Sequence, residues 1–398
     1  MIKQYRELFN KSFKDSIYRS FLEDIKADFN YLPTFRVAET PFFINKRLQQ
    51  QLVEGCHQLI DFIKRKDFKE ITDKSLLVNY NVPNEDHHAN FLAIDFGICE
   101  ENGEIVPKLI EAQGFPSIFN FQPQLYRKIK KAYPFTAELS PYLNELDEEQ
   151  YYKKLRKTIL NGKDPKHVVL LEIEPEKQNT KIDFYYCHRD FGIPIVCVTE
   201  VIKKDKKLFY KNQQNEEIQI ERIYNRVIFD ELETRKDLAL QFSFMDDLEV
   251  EWAGHPNWFY RISKFILPMI SGPYFIDTKL LSELTEIPQD LENYVLKPLF
   301  SFSGTGVIYH VKKEDIEAVK EKDLYVLQKK VTYSPIVKAL DGRVKAEVRI
   351  LAVWPEDEES PTLMSNVVRL SRGEMIGVKF NKDKDWVGGT IGLFEKPV

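Results

Sequence analysis

Hydrophobic positions recur along this chain with two different periods. In RLQQQLVEGCHQLIDFIKR, Leu52, Leu59, Ile60 and Ile63 return at helical spacing, and residues 1 to about 80 read as largely helical. From Asn90 the pattern becomes that of paired strands. FLAIDFG and IVPKLIEAQ are apolar runs on either side of a polar turn at Asn102-Gly103, which is a hairpin signal. The charged stretch DEEQYYKKLRKTIL reads as a helix. Beyond His167, strands and helices alternate: HVVLLEIEP is a buried strand, IDFYYCHRDFGI a helix ending near Gly192, and PIVCVTEV a second strand. LFYKNQQNEEIQI is a polar hairpin and IERIYNRVIFDEL brings a further strand. This alternation predicts a small, mostly parallel α/β unit. From Trp258 onward the pattern is again mixed α/β, with PEDEESPT as a solvated loop between strands. The expected division is 1–150, 151–257 and 258–398.

Composition narrows the class. The 398 residues allow two or three packed domains. Hydrophobic residues make up 43% and charged residues 30%, the balance of a globular chain rather than a disordered one. With 57 basic and 62 acidic residues the net charge is −5, which argues against a dedicated nucleic-acid binder. The run FILPMISGPYF is broken by Pro268, Gly272 and Pro273, too short for the roughly 20 apolar residues of a bilayer span. Cys56, Cys99, Cys187 and Cys197 form no CxxC pair and read as reduced thiols. A cytoplasmic location without membrane or nucleic-acid partners is expected.

Candidate chemistry concentrates in four segments. YVLKPLFSFSGTGVIYHV delivers Lys297 at the end of a strand, then a flap containing Ser303, Gly304, Thr305 and Gly306, then a returning strand. Glycines in such a flap let backbone N–H groups approach phosphates, and Lys297 supplies a point charge at its base. The strand LYVLQKKV, with Gln328, Lys329 and Val331, has the form of a hinge whose backbone faces an adenine edge. VKAEVRILAVW places Glu347 and Arg349 on one strand face, and NVVR adds Arg369. Charged side chains facing inward are costly unless paired or liganded. In the early hairpin, Asp95 opposes Glu111, and Gln113 points the same way as Glu111; three oxygens of this kind suit magnesium beside phosphates.

The order strand-lysine, glycine-rich flap, hinge strand, two arginine strands and Asn381 before Gly388-Gly389 resembles the ATP-grasp superfamily over residues 258–398. That family's closing acidic hairpin is matched at the front of the chain, by residues 91–117, an arrangement similar to the circularly permuted ATP-grasp ligases of the glutathionylspermidine synthetase type. The resemblance implies an ATP-grasp fold in permuted order with a small parallel α/β substrate domain. It implies an ATP- and Mg-dependent ligase joining a small-molecule or peptide carboxylate to an amine or thiol through an acyl phosphate. Lys264 and Lys297 would contact ATP, with the flap and the hinge. Asp95, Glu111 and Gln113 would hold the metal. Arg369 and Arg349 would stabilise the acyl phosphate, and Arg226 and Ser117 would bind substrate. Gln113 stands where the family usually has Asn, and Ala93 where it has Arg. These departures feed a second reading, a non-catalytic ATP-binding protein that keeps the fold.

Overall fold

The computed structural model describes residues 1–76, 80–301, 305–376, 381 and 383–396. The chain opens with helices α1 (Lys3–Ser12) and α2 (Asp15–Ala27), a short strand β1 (Phe42–Ile44), and the long helix α3 (Lys46–Ile63). The Asn45 side chain caps α3 by accepting from the Leu48 N–H at 3.1 Å. The helical period read from the sequence is the buried stripe of α3: Leu48, Leu52, Cys56, Leu59, Ile60 and Ile63.

Strands β2 (Phe91–Glu101) and β3 (Glu104–Gln113) form the expected hairpin. Asn102 and Gly103 both take positive φ at its tip, as a two-residue turn that follows strand twist requires. Then come helix α4 (Phe121–Ala132), the short strand β4 (Leu139–Ser140) and helix α5 (Glu148–Leu160), which starts with an Asp147–Gln150 capping box.

The middle of the chain contributes β5 (Val168–Glu172), helix α6 (Lys181–Phe191), β6 (Ile195–Cys197), β7 (Ile202–Lys204), β8 (Lys207–Lys211), β9 (Glu217–Ile220), β10 (Arg222–Asn225) and β11 (Glu251–Ala253). Strands β11-β10-β5-β6 form a four-stranded sheet with every pairing parallel, while β7-β8-β9 is a separate antiparallel ribbon. The last third is richer in strands: β12 (Thr278–Leu280), β13 (Tyr294–Pro298), β14 (Tyr325–Lys329), β15 (Val337–Ala339), β16 (Gly342–Val353), β17 (Thr362–Ser371), β18 (Gly388–Thr390) and β19 (Gly392–Glu395). The return expected over VIYHV is not a full strand. It meets β13 through a single Leu296–Ile308 bridge, because the chain leaves for a helix at Lys313.

Two antiparallel sheets position the site. One has six strands, in the order β18-β17-β16-β2-β3 with β15 also on β16, so the early hairpin and the late strands share one sheet. Its two faces differ by strand alternation. Leu92, Ile94, Phe96, Val348, Ile350 and Val368 belong to the largest core, which also contains α3. The opposite face is apolar where Phe91, Ala93, Leu351 and Val353 meet the middle of the chain. It turns charged at its other end, with Asp95, Glu347, Arg349 and Arg369. The second sheet, β12-β14-β13, packs Leu296 and Leu327 into a small core of its own and turns Lys297 and Gln328 the other way. Among the described residues no helix is long and apolar enough to cross a membrane.

Candidate functional site

A cleft of about 650 Å³ is lined by residues of both sheets, among them Glu111, Lys297, Gln328, Glu347, Arg349 and Arg369, and by Lys264 from a short helical turn, Lys264–Met269. Its floor is set by register. Across β3, β2 and β16, Glu111, Asp95 and Arg349 stand directly opposite one another; across β16 and β17, Glu347 stands opposite Arg369. Gly97 lies beside Glu347, and a Cβ there would meet the Tyr333 ring at 2.9 Å. The missing side chain lets Tyr333 lie across the strand and donate its hydroxyl to Glu347 Oε2 at 2.8 Å.

On the floor of the cleft the charges are paired. Asp95 accepts from Nε and Nη2 of Arg349 at 2.6 and 2.7 Å and from Nη2 of Arg369 at 2.7 Å. Arg369 also bonds Glu347 Oε1. Burial alone would push the Asp95 carboxyl up, but the two guanidiniums hold it below the usual range. Glu111 is ion-paired with Lys264 at 3.0 Å and accepts from the Gln113 amide at 3.0 Å. Burial pushes its pKa up, yet Lys264 brings it below normal. Lys264 also donates to the Ser301 carbonyl at 2.8 Å, which ties the base of the flap to the acid. On the facing sheet, Lys297 donates to Gln328 Oε1 at 2.5 Å, and Gln328 Nε2 donates to Thr278 Oγ1 at 3.1 Å. Burial lowers the Lys297 ammonium to about 8, against the pull of Glu111.

The sequence-predicted residues divide into three groups. Lys264, Lys297, Gln328, Lys329, Val331, Glu111, Ser117, Arg349 and Arg369 all line the cleft. Ser303 and Gly304 lie outside the described residues. Thr305, Gly306, Asp95, Gln113 and Arg226 are described and do not line it. Asp95 sits behind the two arginines. The Gln113 amide is turned onto Glu111. Arg226 is turned away from the cleft, where Nη1 donates to the carbonyls of Pro116 and Ser117 at 2.6 and 2.7 Å. It therefore clamps the loop that carries Ser117, and that use of its guanidinium argues against direct recognition of a substrate carboxylate. Gln328 likewise has both ends of its amide engaged, so its first effect is to orient Lys297. The Asn381 side chain bonds the Arg372 and Gly373 amides at 2.8 and 3.1 Å and shapes a loop at the cleft edge. His255 packs against the Pro83 carbonyl, and burial lowers it to about 4; His88 stacks on Trp354. Neither lines the cleft.

Several lining residues had no sequence signal of their own. Thr34, Phe35 and Arg36 form part of one wall because their segment pairs with the far end of the chain. Ala38 N–H donates to the Gly389 carbonyl at 2.9 Å, and Gly389 N–H to the Arg36 carbonyl at 2.8 Å. Tyr309 lies under the Lys330 ammonium, 4.1 Å from the ring centre, and both line the cleft. Glu347 was visible as an inward charge beside Arg349, though without a role.

The donor set tests the magnesium reading. Among the described residues no group of three or more His, Cys, Asp or Glu converges as a ready-made metal cage. Four carboxylates line the cleft, Glu111, Glu347, Glu374 and Asp383, and of these Glu111 and Glu347 stand on the strands of its charged floor. Magnesium beside phosphates needs only one or two carboxylates, with water and phosphate oxygens completing its shell. The residues present fit that requirement through Glu111 and Glu347 better than through Asp95 and Gln113.

No protein-family profile and no curated protein matches the sequence. Among solved structures, the chain is similar to a glutathione synthetase-like effector from Globodera pallida, determined in its apo form. The TM-score is 0.62 and the identity 10%, over 97% of this chain and 98% of that one. The fold is therefore like that of a glutathione synthetase-like protein; at this identity the likeness is one of fold alone.

Proposed function

We propose that the chain is an ATP- and Mg-dependent ligase of the ATP-grasp type, in circularly permuted order, joining a carboxylate to an amine or thiol through an acyl phosphate. The observation that carries this reading is the gathering of Lys264, Lys297, Arg349, Arg369, Glu111 and Glu347 in one cleft between two antiparallel sheets. The early hairpin completing the sheet of the late strands supports the permuted order, and the fold likeness supports the ligase class. The middle segment, 151–257, is assigned to the substrate side.

Each residue then has a chemical task. The wall of Ile276, Val295, Tyr309 and Val331 suits an adenine ring. Lys264 and Lys297 neutralise phosphate oxygens, and Gln328 holds the Lys297 ammonium in place. Magnesium, when bound, would neutralise phosphate charge, held by Glu111 and Glu347. Arg349 and Arg369 receive the acid, as guanidiniums suited to carboxylate and phosphoryl oxygens. Phosphoryl transfer asks a protein chiefly for positioning and charge stabilisation, and both are built into the sheet register.

The test has two stages. Ligand at a hundred times its Kd adds about 2.7 kcal/mol to native stability. MgATP should therefore raise the melting temperature of the wild type, less so in Lys297→Ala, and the magnesium dependence should weaken in Glu111→Ala. Screening acids with amines for ADP release then separates a ligase from the second reading, an ATP-binding protein without turnover. No shift at millimolar nucleotide would sink the nucleotide assignment itself.

A further inference from the structure

Asp95 is 1% exposed and does not line the cleft, whereas both arginines it holds do. Its side chain sits on the row that joins β3, β2 and β16, directly opposite Arg349. The contact is a fork on two acceptors: Oδ1 takes Nε of Arg349 at 2.6 Å and Oδ2 takes Nη2 at 2.7 Å. Oδ2 also takes Nη2 of Arg369 at 2.7 Å. The Arg349 Nη1 that is left reaches Ser117 Oγ at 3.2 Å, at the lip of the loop clamped by Arg226. Side-chain exposure rises from Asp95 at 1% through Arg349 at 18% to Arg369 at 39%, so the anion is behind and the cations are in front.

A carboxylate offers about four lone-pair directions, and three of these are occupied by guanidinium N–H groups. A divalent cation reaching Asp95 would find a single lone pair left, on Oδ1, and would have to approach past both positive charges. The same arrangement is well suited to another task. A forked Arg–carboxylate contact fixes the plane of the guanidinium, which a single hydrogen bond does not.

Resting on the ligase reading above, we infer that Asp95 is a positioning residue, not a metal ligand. It locks Arg349 and Arg369 side by side as a platform for the phosphoryl group passed to the acid substrate. The platform recognises an anion with several oxygens in one plane, a carboxylate or the phosphoryl group in transfer. Ser117 fixes its outer edge.

The test uses the full chain and calorimetric binding of MgADP, alone and with aluminium fluoride as a phosphoryl-group probe. In the wild type, aluminium fluoride should tighten MgADP binding about tenfold or more. Asp95→Asn should leave MgADP affinity and the magnesium midpoint within about twofold while losing the tightening. Arg349→Lys keeps a positive charge on Asp95 but not the fork. It should lose the tightening as well, and it carries the test if the asparagine variant does not fold. A magnesium midpoint moved about tenfold by Asp95→Asn would overturn the inference, as would tightening that survives in either variant. Wild type that binds MgADP without any tightening overturns the platform alone. Wild type that fails to bind MgADP removes the ligase reading and the platform with it.

Discussion

Raising the pH through 8 should weaken MgATP binding, and the reason is the environment of Lys297. Burial on the inner face of the small sheet lowers its ammonium to about 8, with Lys264 pushing the same way and Glu111 opposing. A free lysine titrates near 10.4. A bound triphosphate supplies anionic oxygens that restore the proton. Binding therefore takes up a proton whenever the free protein has lost it: about half a proton at pH 8 and about nine-tenths at pH 9. The triphosphate is already fully ionised in that range and contributes no uptake. Affinity should fall about tenfold between pH 7 and pH 9, or about 1.4 kcal/mol. The stability of the free protein moves in the opposite direction. Between about 8 and about 10.4 the folded chain binds fewer protons at Lys297 than the unfolded chain, so this group's contribution to stability rises with pH. Calorimetry at pH 7, 8 and 9, in two buffers of different ionisation enthalpy, measures affinity and proton uptake together. Lys297→Met should bind more weakly at pH 7 and show neither the slope nor the uptake. An affinity flat across this range, or uptake that persists in Lys297→Met, would refute the reasoning.

Two further outcomes concern stability. Glu172 is buried at the end of β5, where its Oε1 accepts from the Ile173 N–H at 2.7 Å, and burial raises its carboxyl to about 8. Its contribution is fully present below about 4.5 and is lost as pH rises through about 8. Glu172→Gln keeps the acceptor and should lie within about 1 kcal/mol of wild type at pH 5, yet gain on it by about 4 kcal/mol between pH 5 and pH 9, as read by urea unfolding; the same difference at both pH values would contradict the assignment. Gly388 has φ +119, and a Cβ there would lie 2.3 Å from the Arg36 carbonyl oxygen. Gly388→Ala should therefore destabilise by about 2 kcal/mol or more and speed proteolysis near residues 30–40, and a variant that melts and digests like wild type would show that the wall is not held there.

The local signals in the sequence were strong where periodicity or turn chemistry decides the outcome. The α3 stripe, the Asn102-Gly103 hairpin and the alternating face of β16 all follow from rules of spacing. Alternation placed Glu347 and Arg349 on one face without showing which charges they would meet. Glu347 meets Arg369 on the next strand of the chain, but Arg349 meets Asp95 through register between strands some 250 residues apart, and no local window contains that register. For the same reason the sequence shows Asp95 only as a candidate ligand: an inward carboxylate on an apolar strand has the same signature whether it faces a cation from solvent or, as here, an arginine from the next strand. Arg226 shows the converse. Its position just after β10 was legible, but the carbonyls of Pro116 and Ser117 that consume it belong to another part of the chain. The wall of Thr34, Phe35 and Arg36 is the least legible, since it is set by long-range contacts, the backbone pairing with Gly389 and the side-chain contacts to Phe121 and Asn179 among them.

The pairing of charges in the cleft bears directly on how a nucleotide would enter it. Lys264 is engaged by Glu111, Arg369 by Glu347 and Asp95, and Arg349 by Asp95. Lys297 is bonded to a neutral amide instead, and its ammonium is correspondingly lowered. The Lys264 ammonium already has a carboxylate partner at 3.0 Å before any ligand enters. A triphosphate offers Lys264 and Arg369 new partners, and the acids they leave, Glu111 and Glu347, are the two carboxylates that suit a divalent cation. Asp95 is outside this exchange, because both of its oxygens are held by the guanidiniums that stand between it and the cleft. On the proposed reading, the outer pairs change partners when ligand binds while the inner fork stays fixed. That division makes Lys297 the pH-sensitive member of the site, since burial lowers its ammonium and its hydrogen bond goes to a neutral amide.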